Sequence, residues 1–134
     1  MFKINTQMNE NEIAKIIVDA GLKVHRTLGQ GLYEKVYEEC LEYELKNREL
    51  SVERQKFISI QYESLQVSNA FKIDLLVENK VVVEIKAQET LDSFHNAQLL
   101  NYLRLGNYRL GLLLNFNSKL FKNGINRVIN GYII

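Results

Sequence analysis

Proline is absent from the 134 residues. Glycine and asparagine must therefore supply the punctuation between elements. Cysteine is nearly absent: Cys40 stands alone, which excludes a disulfide framework within one chain and fits a reducing compartment. Long apolar runs are also missing. The stretch from Met1 to Glu10 holds none long enough for a signal peptide, and no segment reaches the roughly 18–20 uninterrupted apolar residues of a membrane span. The expectation is a cytoplasmic protein. No charge of one sign dominates. The formal net charge is +1, so bulk charge does not mark a nucleic-acid binder.

What is present is the composition of an ordinary globular protein, 46% hydrophobic and 25% charged. The length predicts one domain over residues 1–134, with a core large enough to need no cross-links. Charge is unevenly spread. Residues 91–134 carry five basic side chains (Arg104, Arg109, Lys119, Lys122 and Arg127) against Asp92 alone, whereas residues 1–90 carry twelve basic and fifteen acidic ones. That asymmetry gives either a basic face on a nearly neutral molecule or an ordinary solvated surface.

The hydrophobic pattern predicts two helices, then strands. Asn9 with Glu12 three residues on forms a capping box for a helix reaching Leu28. Ile13, Ile16, Ile17, Ala20, Val24 and Leu28 form its apolar stripe. Gly29-Gln30-Gly31 ends it. A second helix, Tyr33 to Asn47, buries Tyr33, Val36, Tyr37, Cys40, Leu41 and Leu45, with Glu38, Glu39, Glu42 and Glu44 mostly outside. Cys40 then reads as a small core residue. Period-two alternation follows over 52–62, and after a polar turn a strand is predicted over 71–77. Residues 78–80 make a short hairpin into a third, β-branched strand over 81–87. Asp92 or Ser93 caps a third helix that Gly106 closes. An apolar strand over 108–116 and a short one over 127–133 complete the order α-α-β-β-β-α-β-β. The predicted fold class is α/β, a mixed central sheet flanked by helices.

Three charged residues fall inside apolar strands: Asp74 in Phe-Lys-Ile-Asp-Leu-Leu-Val, and Glu84 and Lys86 in Val-Val-Val-Glu-Ile-Lys-Ala. Such charges are costly unless paired or bound to metal. Glu84 and Lys86 are two apart, so they share a strand face. The short hairpin sets Asp74 opposite Glu84. Two carboxylates and an ammonium in one place suit phosphodiester hydrolysis. Carboxylate oxygens bind Mg2+ or Mn2+, the ion activates water and offsets phosphate charge, and a lysine serves the water or the transition state. A structural Asp–Lys–Glu salt-bridge cluster is the alternative, because so short a pattern recurs by chance.

Gly31-Leu-Tyr-Glu-Lys-Val-Tyr37 reads G-x-x-E-x-x-Y. With Val-His-Arg-Thr-Leu-Gly before it, Tyr-Glu-Glu-Cys-Leu after it, Val-Glu-Arg-Gln at 52–55, Ile-Asp-Leu-Leu-Val, Val-Glu-Ile-Lys-Ala, Gln98-Leu-Leu-Asn-Tyr102-Leu and Gly-Leu-Leu-Leu-Asn-Phe, the chain resembles the GxxExxY family. That family is a branch of the PD-(D/E)XK nuclease superfamily, and the resemblance covers most of the chain. It implies a restriction-endonuclease-like core and a Mg2+- or Mn2+-dependent nuclease acting on DNA or RNA. Asp74, Glu84 and Glu34 would be metal ligands, and Lys86 would serve the chemistry. Gln98 and Tyr102 match the Q-x-x-x-Y element of RecB-like nucleases. Gln98 would hold a water or phosphate at the metal and Tyr102 would contact substrate or brace the site. Two departures affect little: Ile73 stands where the superfamily name has proline, and Gln30 stands between the glycines where relatives tend to have proline.

Blander roles stand beside these. Glu34 also suits a helix N-terminus, Tyr102 can be a core residue with an incidental Gln98, and His25 and His95 read more safely as structural histidines than as site residues. For the whole chain, the alternatives are a catalytically silent nucleic-acid-binding module and a homodimeric interaction module. No membrane partner is expected.

Overall fold

The computed structural model describes residues 8–131. Helices α1 (Glu10–Leu28) and α2 (Glu34–Asn47) precede strands β1 (Val52–Tyr62), β2 (Leu65–Val77) and β3 (Val81–Lys86). Helix α3 (Ser93–Gly106), strand β4 (Leu110–Asn115), a 3-10 turn η1 (Phe121–Gly124) and strand β5 (Ile125–Ile129) follow. The element order is the one expected. Among the described residues no helix is long and apolar enough to cross a membrane.

The five strands lie in chain order in one sheet. β3 and β4 are parallel and every other neighbouring pair is antiparallel. A parallel pair needs a crossover, and α3 supplies it. Alternation then sorts the strand side chains. Val81, Val83 and Ile85 pack with α1 and α2 on one face. Val82 packs with Leu99 and Leu103 of α3 on the other. By the same period of two, Glu84 and Lys86 take the α3 face. β4 is buried along its whole length, as its apolar run demands.

Local chemistry explains the ends. Asn9 caps α1 through a complete capping box, with its Oδ1 accepting from Glu12 N at 2.8 Å and Glu12 Oε1 accepting from Asn9 N at 2.9 Å. Gly29 takes φ 73 and Gly31 φ 95 in the turn that follows, a region open to glycine. The Tyr37 hydroxyl ties this turn to α2. It donates to Gly29 O at 2.6 Å and accepts from Leu32 N at 3.1 Å. Its buried ring stacks on Phe116 at 4.7 Å.

Four expectations shift. Tyr33 and Val36, expected on the buried face of the second helix, are exposed, and Tyr33 is the N-cap residue before α2. β2 begins at Leu65, not at residue 71, so the polar turn shrinks to Glu63-Ser64. The added half of the strand pairs with β1 across a register shift between Ile58 and Ile60. It needs no apolar run, because backbone hydrogen bonds alone form a two-stranded ribbon. The left-handed residue that closes α3 is Asn107, φ 64, rather than Gly106; asparagine tolerates that conformation next best after glycine. The last strand ends at Ile129, with η1 before it. The part of the expected strand over 132–133 lies outside the described residues.

Candidate metal centre

β2 and β3 pair only over Leu75–Val77 and Val81–Val83. Beyond Leu75 the carboxylates take over from the ladder. Asp74 N donates to Glu84 Oε2 at 2.9 Å, and Ile85 N donates to Asp74 Oδ2 at 2.8 Å. Each acid thereby satisfies a backbone donor that strand separation would leave unpaired. Asp74 and Glu84 are fixed side by side at the fork, and Glu84 is only 6% exposed.

A buried and a half-buried carboxylate so close repel ionisation. Burial, then the charge of Asp74, push the Glu84 carboxyl up to about 8, against the pull of the Asp74 backbone N–H and the Lys86 ammonium. Asp74 is raised as well, by burial first and also by the charge of Glu38; the Ile85 N–H, Gln55 and Lys86 oppose this. Lys86, half-buried at the end of β3, thus acts on both acids through space.

The α2 carboxylate that reaches this fork is Glu38. It is 6% exposed and accepts from Arg54 Nε at 2.6 Å and from Gln55 Nε2 at 2.8 and 2.9 Å. The same Gln55 nitrogen donates to Asp74 Oδ1 at 3.3 Å. Glu34 lies exposed one helical turn earlier, and no hydrogen bond or ion pair joins it to the fork among the described residues. Periodicity assigns no role to Glu38, Arg54 or Gln55 and sets the α2 glutamates mostly on the outside of the helix. A signal was there: Glu38 falls in line with the buried Leu41 and Leu45 at helical spacing. Arg54 and Gln55 carried none beyond the Val-Glu-Arg-Gln likeness.

From α3, Tyr102 faces the fork. Burial, then the charges of Glu84 and Asp74, raise its hydroxyl above the usual tyrosine range. Its ring stacks on Phe71 of β2 at 4.2 Å. Half-buried Gln98 lies one turn away and lines a groove of about 540 Å3 with Phe94, Asn101 and Tyr102. The histidines do other work. His25 Nε2 bonds Ser118 O at 2.7 Å and its ring packs on Phe121. His95 closes the α3 capping box with Asp92.

A profile of the PD-(D/E)XK nuclease superfamily matches residues 11–128. The chain belongs to the PD-(D/E)XK nuclease superfamily. Its mixed five-stranded sheet with three helices is the restriction-endonuclease-like arrangement. No curated protein and no solved structure matches the chain.

PD-(D/E)XK nucleases typically use divalent metals. Among the described residues no three His, Cys, Asp or Glu side chains are grouped as a ready metal cage; the Gln55 amide stands between Glu38 and Asp74. The Asp74–Glu84 pair nevertheless fits such an ion. Its donors are hard carboxylate oxygens, and the burial and like-charge repulsion that raise the Glu84 carboxyl are what a dication would offset.

Proposed function

We propose that this protein is a Mg2+- or Mn2+-dependent nuclease of the GxxExxY kind that hydrolyses phosphodiester bonds of DNA or RNA. The observation that carries the reading is the fork between β2 and β3, where half-buried Asp74 and buried Glu84 lie side by side near Lys86. A scaffold could accept the same backbone hydrogen bonds with neutral side chains, without the cost of setting two carboxylates side by side out of water.

In this reading Asp74 and Glu84 hold the ion. Bound there, it would lower the pKa of a water and offset charge on the attacked phosphate. Lys86 orients the attacking water through its N–H groups or donates to a phosphoryl oxygen as charge builds. The Tyr102 hydroxyl, kept protonated by its surroundings, remains a donor for a phosphate oxygen. Gln98 positions substrate along the α3 groove. Glu38, the acid that reaches the fork from α2, is held by Arg54 and Gln55 beside the ion's ligands; the further-ligand role that the resemblance implies belongs to Glu34, exposed one helical turn earlier.

The test is a panel of single- and double-stranded DNA and RNA with Mg2+, Mn2+ or chelator. Lys86→Ala and Asp74→Ala should each lower cleavage by about 10²-fold or more. Equal trace activity in wild type and Lys86→Ala across every substrate would sink the proposal. Salt-sensitive binding with no turnover would favour the silent nucleic-acid-binding module instead.

A further inference from the structure

Gln55 is an unusual residue in an unusual place. It lies within β1 at φ 54, a left-handed conformation few non-glycine residues adopt. The pairs Arg54–Leu75 and Lys56–Ile73 continue on either side. The irregularity therefore falls at the one position of β1 that faces Asp74. Among the described non-glycine residues only Gln55 and Asn69 take this conformation inside a strand; the other five lie at turns or helix ends.

What the side chain does there is specific. One nitrogen with two hydrogens serves three carboxylate oxygens, two on Glu38 and one on Asp74. It stands where a cation bridging those two acids would stand. Glu38 Oε2 also accepts from Arg54, whereas among the described residues Oε1 accepts from Gln55 alone. With the amide gone, Oε1 and Asp74 Oδ1 would face each other across a gap suited to an oxygen-ligated ion.

We propose that Gln55 sets the metal count of the centre: its carboxamide nitrogen fills the place between Glu38 and Asp74 that a second divalent ion would otherwise take. One ion then sits at Asp74 and Glu84, and Glu38 is held by Arg54 and Gln55 rather than by metal. The inference rests on the nuclease reading only in taking Asp74 and Glu84 as ligands of the first ion.

The experiment is Mn2+ titration of the full chain, followed by calorimetry and electron paramagnetic resonance. Wild type should take one Mn2+ with the spectrum of an isolated ion. Gln55→Glu keeps the shape but places three carboxylates together, and should take two ions with a spin-coupled spectrum. Gln55→Gly, whose backbone accepts φ 54 without strain, should also take two and guards against poor folding of the first variant. Adding Glu38→Gln to either should return the count to one. Two ions in wild type, or one in both folded Gln55 variants, would overturn the role of Gln55. Wild type that takes no Mn2+ dependent on Asp74 would instead overturn the nuclease reading beneath it.

Discussion

Glu84→Gln should make the metal-free protein more stable above neutral pH. Folding raises the Glu84 carboxyl from 4.5 to about 8. Between those values the folded state holds a proton that the unfolded chain has released, so stability falls as pH rises through the window. At about 1.4 kcal/mol per pH unit the full window is worth roughly 5 kcal/mol, an upper bound because Asp74 shares the titration. Glutamine keeps an oxygen to accept from Asp74 N and removes the charge. Near pH 5 wild type and variant should therefore match, while at about pH 8.5 the variant should be more stable by about 2–4 kcal/mol, on the order of 10 °C in Tm. Thermal melts in chelator at both pH values read this directly. Mn2+ should raise the wild-type Tm and leave the variant nearly unmoved, since one ligand is lost. A variant with the wild-type pH slope, or one less stable at the higher pH, would show that Glu84 is not held protonated at the fork.

Two further perturbations probe the supports of the centre. Arg54→Met removes the 2.6 Å partner of the buried Glu38 carboxylate. Urea titration should show a loss of about 2–3 kcal/mol, with one face of the Arg54 site open to solvent, and no loss would mean that Gln55 alone satisfies Glu38. Tyr37→Phe keeps the stack on Phe116 but strips the hydroxyl that joins Gly29 O to Leu32 N. It should cost about 1–2 kcal/mol and speed amide exchange at Leu32; unchanged exchange there would show that the turn holds without Tyr37.

The parts of this structure that sequence made legible are those written in periodicity. Glu84 and Lys86 stand two apart in the β-branched run of β3, and the strand delivers both to one face as its period of two requires. The Asn9–Glu12 box marks the start of α1 to the residue. Where polar side chains form backbone-paired ribbon, as over 65–70, composition imitates a turn and the strand is missed. The G-x-x-E-x-x-Y motif is legible only in part. Its glycine and tyrosine build the turn that aims α2, and its glutamate points to solvent, while the next acid along the helix enters the fork. Which of two glutamates one turn apart is buried depends on Arg54, sixteen residues later, and no local spacing encodes that pairing. The left-handed backbone of Gln55 is still less visible, because glutamine carries no propensity for it.

The fork also decides which substitutions report on chemistry. Asp74 and Glu84 act twice, as the acids of the proposed centre and as stand-ins for the backbone ladder where β2 leaves β3. Removing Asp74 orphans Ile85 N and frees Gln55, so Asp74→Ala combines a catalytic loss with a structural one of about 1–3 kcal/mol. Lys86 pairs with β4 through its backbone alone, and its side chain forms no salt bridge among the described residues; the side chain's influence on the fork is electrostatic. Lys86→Ala should leave the fork standing and, by withdrawing a positive charge, raise the Asp74 and Glu84 carboxyls further. A mutant with undiminished stability near pH 5, weaker Mn2+ binding at neutral pH and abolished cleavage would separate the work of Lys86 on the ion's ligands and the reacting phosphate from any part in holding the fold.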